Sequence, residues 1–302
     1  TRSLIIFGQG LTRSHPHLLH LIKAIQDGDN MDGFNSELKS VIAHAVSNLG
    51  RSVSRGLAVQ FQFKGSDVSA YYESQLARLT ANFAFCSDIG LTLGGGLKTA
   101  EFLSGRYADV LSNLYMGYAC LWYYEKNKHV KDLDKVLDMA MAQHCYKIQE
   151  AILGLSSNFP VPLMGPVMRA VTFPRGREYG PASDKTKRAV SQLITTPTEV
   201  RALLTQNVFV SKNANDRLNQ ISRAVAVATK ADAMLAACRR ERRQPTGEEQ
   251  KVIDEAEELR EQIIQVDSFE TLSGKDHRAD WMQANWSVGP RATTDAASAS
   301  AH

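Results

Sequence analysis

Cysteine is scarce and scattered: Cys86, Cys120, Cys145 and Cys238 stand dozens of residues apart in a chain of 302. With no C-x-x-C pair, neither a zinc site nor a disulfide framework is expected, and reduced, cytosol-facing surroundings fit best. Long apolar runs are missing as well. Nothing approaches the roughly 18 consecutive apolar residues of a membrane span, and no basic segment with an apolar core and a small-residue cleavage site opens the chain. Nor is one sign of charge in excess: 35 Lys and Arg against 32 Asp and Glu leave +3, too mild a surplus to make nucleic acid the default partner. No G-x-S-x-G elbow, G-x-G-x-x-G turn or phosphate-binding G-x-x-x-x-G-K-[ST] loop occurs, which removes the commonest local signatures of hydrolases and nucleotide binders.

What is present is helical periodicity. From Gln75 to Leu93 the apolar positions Leu76, Leu79, Phe83, Cys86, Ile89 or Gly90, and Leu93 recur at steps of three and four, one face of a helix. Leu103, Tyr107, Val110, Leu114, Gly117 and Leu121 repeat the pattern, as do Leu133, Leu137, Met141, His144, Ile148, Ile152 and Leu155. Gly94 to Gly96 either break or thin the first junction, and Asn127 to Lys131 supply a short polar loop at the second. Short loops between helices imply antiparallel neighbours in a bundle. Earlier helices are expected at Arg2 to Phe7, at His15 to Asp27 with Ser14 as N-cap and Gly28 as stop, and across Phe34, Leu38, Val41 or Ile42, Ala45 and Leu49. Arg51 to Ser69 reads as irregular, with a β-ribbon as the rival because Leu57, Val59, Phe61 and Phe63 alternate.

The texture changes at Asn158. Phe159 to Phe173 holds three prolines, one glycine and the single charge of Arg169, so no long uninterrupted helix is expected there. Turn chemistry continues through Pro174, Gly176, Gly180 and Pro181, and helices resume near Asp184, Pro197, Ala214 and Gly247. Gly289 to His302 has too little apolar surface to offset ordering entropy. The expected fold is all-α, an antiparallel helical bundle with a Pro/Gly-rich apolar loop segment and a disordered C-terminal tail. Thr1 is not an initiator Met and Ser3 to Phe7 reads as the middle of an element, so the chain is expected to begin inside a longer protein.

Chemistry is sparse. His15, His17 and His20 crowd together, yet no cysteine or acidic residue stands beside them as a third ligand, so metal binding is the weaker reading. His144 lies on an apolar stripe, where a hydrogen-bonded core histidine is commoner than a base. The run Arg239, Arg240, Glu241, Arg242, Arg243 is followed at once by Glu248, Glu249, Asp254, Glu255, Glu257, Glu258 and Glu261, which a solvated pair of helices explains. No aromatic residues interleave these arginines, so a stacking platform for nucleic acid is absent.

Three stretches resemble the C-terminal region of the long bacterial acyl-CoA dehydrogenases of the FadE type: T-R-S-L-I-I-F-G-Q-G-L-T-R-S-H-P-H from Thr1, L-A-R-L-T-A-N-F-A-F-C-S-D from Leu76, and F-P-R-G-R-E-Y-G-P-A-S-D from Phe173. Lys98 to Tyr115 and V-D-S-F-E from Val266 are similar to further blocks, so the likeness runs roughly from Thr1 to Glu270. The resemblance implies an FAD enzyme that oxidises fatty acyl-CoA to trans-2-enoyl-CoA in β-oxidation, as a homodimer with electron-transferring flavoprotein as acceptor. In that family the glutamate base lies a few residues before Thr1, so no catalytic, flavin-binding or metal residue is carried over to this chain. Residues 1–27 are then the remnant of the catalytic bundle, 28–270 a helical extension and 271–302 a flexible tail. The extension is expected to supply core packing and dimer contacts in a cytoplasmic protein. A membrane or partner surface is expected at Phe159, Val161, Leu163, Met164, Val167, Met168 and Arg169, which with Arg175 and Arg177 would dip into the anionic inner membrane; a loop sealing the bundle is the plainer reading. A non-catalytic helical scaffold or membrane-docking module is the alternative for the whole chain.

Overall fold

The structure, a computed structural model, describes residues 10, 15–26, 31–59, 62–65, 67–214 and 216–264. Among them are ten α-helices and no strand: α1 Leu18–Gln26, α2 Met31–Val59, α3 Val68–Leu91, α4 Glu101–Asn127, α5 Leu133–Ser157, α6 Met164–Thr172, α7 Asp184–Thr195, α8 Glu199–Thr205, α9 Arg217–Glu241 and α10 Gly247–Ile264. The expected all-α bundle is therefore present. The expected helix at Arg2 to Phe7, the Ser14 cap, the Gly28 stop and the C-terminal tail lie outside the described residues. The chain divides into two compact units, Thr1–Gln206 and Asn207–His302.

In the first unit, α3, α4 and α5 supply the core, and the periodic positions are the ones buried. Leu76, Leu79 and Cys86 of α3 meet Tyr107 and Val110 of α4 and Met141, Ile148, Ile152 and Leu155 of α5, each at 2% exposure or less. Burying such side chains contributes about 1.5–3 kcal/mol each. Asp67 caps α3 by accepting the Ala70 amide at 3.0 Å. The three glycines open a short 3₁₀ turn, Gly94–Lys98, with Gly94 left-handed at φ 50°. They turn the chain between α3 and α4.

One expectation is corrected here and another, that no long helix forms in 159–173, is refined. Arg51 to Val59 is neither irregular nor a ribbon; it is the last third of α2. The buried residues of α2 are Asn48 and Ser52, both polar, while Ile42, Val46, Val53 and Leu57 are exposed. The apolar period that runs from Phe34 to Leu49 gives way at Ser52 to a polar contact, so the packed face carries no period to read beyond Arg51. The Phe159 to Phe173 segment, in turn, contains α6. Pro166 falls in its first turn, where its missing N–H is not needed. Gly165 is required because a Cβ there would lie 2.1 Å from the Ser156 carbonyl oxygen, so α6 starts against the end of α5.

The second unit is a hairpin of α9 and α10. Asp216 caps α9 by accepting the Leu218 amide, and Arg242, left-handed at φ 53°, ends it. Arg223 pairs with Glu255 at 3.0 Å, and Arg243 grips Glu249 with two donors at 2.7 and 2.8 Å. The dense basic run is thus tied to the acidic run that follows it. Those bonds hold the Glu249 carboxyl down at about 2.

Candidate functional site

Two polar clusters sit inside the first unit, and both join residues far apart in sequence. The first fastens the F-P-R-G-R-E-Y stretch. Arg78 of α3, 2% exposed, donates from Nη1 and Nη2 to Glu178 at 2.6 and 2.9 Å and from Nη2 to the Thr172 carbonyl at 3.3 Å. Its guanidinium lies 5.7 Å from the Phe173 ring centre and 5.9 Å from that of Tyr179. Burial disfavours the cation, but the hydrogen bonds and charges of Glu178 and Tyr179 together outweigh it and its pKa is raised. Gln149 of α5 reads the same segment through its backbone: Oε1 accepts the amides of Glu178 and Tyr179 at 2.6 and 2.8 Å, and Nε2 donates to the Tyr179 carbonyl at 2.8 Å. The Tyr179 hydroxyl donates to Gln75 at 2.7 Å, and Asn82, itself bonded by Ser52 of α2 at 2.6 Å, donates to the Thr172 carbonyl at 3.2 Å. One arginine and three amide side chains therefore pin an irregular strap across α2, α3 and α5.

The second cluster lies under α1. His15, His44 of α2 and Asp88 of α3 bring three ligand-type atoms within 4.8 Å of one another. His15 Nε2 is 3.6 Å and His44 Nδ1 3.4 Å from the same Asp88 oxygen, and Asn48 donates to the other oxygen at 2.6 Å. Arg51 donates in turn to Asn48. The His17 ring stands 6.0 Å from that of His44. The acidic partner that is missing beside the histidines in sequence thus comes from α3. A metal is nevertheless disfavoured by the hydrogen bonds. His15 Nδ1 accepts the His17 amide at 3.2 Å and the Leu18 amide at 3.0 Å, which places the ring proton on Nε2, the nitrogen facing Asp88. A protonated nitrogen has no lone pair to give a metal, and ligating histidines donate, rather than accept, through the other nitrogen. Burial lowers the His15 pKa, helped by the His44 charge and opposed by Asp88, which favours a neutral ring capping α1, its buried Nε2 facing Asp88 at 3.6 Å without a hydrogen bond.

His144 is half-buried and donates from Nδ1 to Asn113 Oδ1 at 3.0 Å; burial, then Lys147, lowers its pKa. It is held as a neutral structural histidine. The surface segment is split by the fold. Met168 is fully buried, and Phe159, Met164 and Val171 pack on the core, whereas Leu163 is 76% and Val167 44% exposed beside exposed Arg169. Val161 is half-buried. Met168 is therefore withdrawn from any surface role: α6 seals the bundle with one face and leaves the other outward. Among the described helices none is long and apolar enough to cross a membrane.

An open cleft of about 720 Å³ between α3 and α4 is lined by Asp67, Glu73, Tyr118, Trp122, Glu125 and Lys128, among others. Three carboxylates against one ammonium make it unsuited to phosphates.

Residues 12–250 match the model of a family described as acyl-CoA dehydrogenase, C-terminal, bacterial type. No solved structure matches the chain.

Proposed function

The chain belongs to the bacterial-type acyl-CoA dehydrogenase C-terminal family, and from that premise we propose that it is the helical C-terminal part of an FAD-dependent enzyme oxidising fatty acyl-CoA to trans-2-enoyl-CoA in β-oxidation. In this reading its own residues do no chemistry. They build a rigid helical body, contribute to a homodimer and brace the catalytic portion, whose glutamate base and flavin precede Thr1. Electron-transferring flavoprotein is the acceptor that goes with it.

The observation that carries this reading is the buried Arg78 guanidinium, paired with the partly exposed Glu178 carboxylate, that fastens the F-P-R-G-R-E-Y strap. Rigidity is what a bracing domain needs, and leaving that guanidinium without its partner costs about 3 kcal/mol. The α3–α4 cleft does not suit a flavin or a CoA: a pyrophosphate calls for donors, and it presents Asp67, Glu73 and Glu125 instead. The exposed apolar row on α2, Ile42, Val46, Val53 and Leu57, suits a brace that packs on a larger body.

The test compares this chain with the same chain joined to its upstream catalytic portion. The chain alone is expected to bind no flavin and form no enoyl-CoA, and the joined protein to do both. Replacing Val46 and Val53 by Asp in the joined protein is expected to lower its melting temperature. Turnover by the chain alone, or a joined protein indifferent to those substitutions, overturns the reading.

A further inference from the structure

α1 is anchored to the first unit by one buried side chain, and that side chain is a histidine. Among residues 15–26 only His15 is buried; Leu18, Leu21 and Ile22 are half-buried, and Leu19 and Ile25 are 42% and 58% exposed. A helix with no buried residue of its own is the kind of element that opens before the rest of a fold. The His15 ring sits against α2 and α3, its centre 4.6 Å from that of His44 and its Nε2 3.6 Å from Asp88.

The same ring holds the start of α1. Nδ1 accepts the amides of His17 and Leu18, which it can do only while it carries no proton. A proton there sets three N–H groups against one another, so protonation of His15 and capping of α1 exclude each other. The groups that act on the ring do not repair this. His44 of α2 and His17, just before α1, disfavour a charge on His15. Asp88 of α3 favours it, but Asp88 already accepts from Asn48 at 2.6 Å and faces His44 at 3.4 Å with its other oxygen. Arg51 of α2 stands behind Asn48, and His20 and Lys23 of α1 are exposed. Among the described residues the cluster thus holds three imidazoles and a single carboxylate.

We propose that His15 is an acid-released latch: a proton on its Nδ1 breaks the cap, and α1 lifts off α2 while the bundle of α3, α4 and α5 stays folded. Above the ordinary histidine value of 6.5 the latch is closed. As pH falls below that value, the released ring takes up the proton that the docked ring resists, and release gains up to about ten-fold per pH unit for one proton. The latch is independent of the catalytic reading above, and its test, made on this chain without flavin or substrate, can fail while that reading stands.

The experiment is hydrogen exchange of the full chain, followed by mass spectrometry of its peptides at about pH 7.5 and about pH 5.5, with intrinsic rates corrected for pH. Amides of residues 17–26 are expected to lose up to about ten-fold of their protection at the lower pH, while α3, α4 and α5 keep theirs. His15→Asn keeps an acceptor for the cap but takes no proton, and is expected to hold α1 equally at both pH values. His44→Gln removes the nearest imidazole and is expected to show a smaller loss than the wild type. Equal loss across α1 and the central helices, equal loss in the wild type and His15→Asn, or an α1 unprotected at the higher pH overturns the proposal. Should His15→Asn be open at both pH values, His44→Gln decides, and a loss as large as that of the wild type overturns it.

Discussion

Glu178 receives both terminal nitrogens of Arg78 at 2.6 and 2.9 Å, across a hundred residues of chain. The arginine is 2% and the carboxylate 20% exposed at the side chain, so the guanidinium is left with little water if its partner is removed. Glu178→Ala is expected to cost about 3 kcal/mol, a fall of about 6–12 °C in melting temperature for a unit of this size. Glu178→Gln keeps an acceptor oxygen and is expected to fall less. Thermal melts followed by circular dichroism decide it; an alanine variant within 2 °C of wild type, on the order of the shift for 1 kcal/mol, would refute the bracing role.

The start of α6 gives a steric prediction. An alanine Cβ at position 165 would lie 2.1 Å from the Ser156 carbonyl oxygen, a backbone atom that cannot swing aside. Gly165→Ala is expected to destabilise by about 1–3 kcal/mol. Gly180→Ala, with nothing within 4 Å of the added carbon, is the control and is expected to be neutral. Urea unfolding of the two variants side by side makes the measurement.

Acid should loosen the first unit through its histidines. The pKa of His15 is lowered by burial first, then by His44, and that of His144 by burial first, then by Lys147. A base with a lowered folded pKa binds fewer protons folded than unfolded as pH falls through the ordinary histidine value of 6.5. Its contribution is full above that value and is lost below it, so stability rises with pH in this window. Urea midpoints are expected to fall between pH 7.5 and 5.5 (about one unit either side of the histidine range). His15→Asn retains an acceptor for the helix cap and should reduce that slope, with His144→Gln reducing it further. A slope unchanged in the double variant would count against both assignments.

Membrane contact through residues 159–173 has only the outward face of α6 and its approach to offer. Replacing Leu163 and Val167, 76% and 44% exposed, by serine is expected to remove any flotation of the protein with anionic vesicles. Met168→Ser should leave flotation unchanged and lower the melting temperature instead, since that side chain is fully buried. Flotation that survives the Leu163 and Val167 changes locates membrane contact elsewhere.

The three central helices were legible residue by residue because α3, α4 and α5 pack through apolar side chains, and apolar packing imprints a period of three and four on the chain. Leu76, Tyr107 and Ile148 were core residues on spacing alone, and all are fully buried. The same logic failed at Arg51 to Val59, where α2 meets α3 through Asn48 and Ser52. Polar contacts carry no period. Motif combinations pointed to the family whose model matches residues 12–250 without revealing what F-P-R-G-R-E-Y does.

Composition and spacing alone were enough for the helical class. Folding had to bring Arg78 to Glu178, and His15 to Asp88, because a charge pair needs only one partner and that partner's distance along the chain is unconstrained. The orientation of α6, with Met168 inward and Val167 outward, was likewise a matter of packing. Both side chains are apolar, and only the neighbouring α2, α3 and α5 settle which of them leaves water.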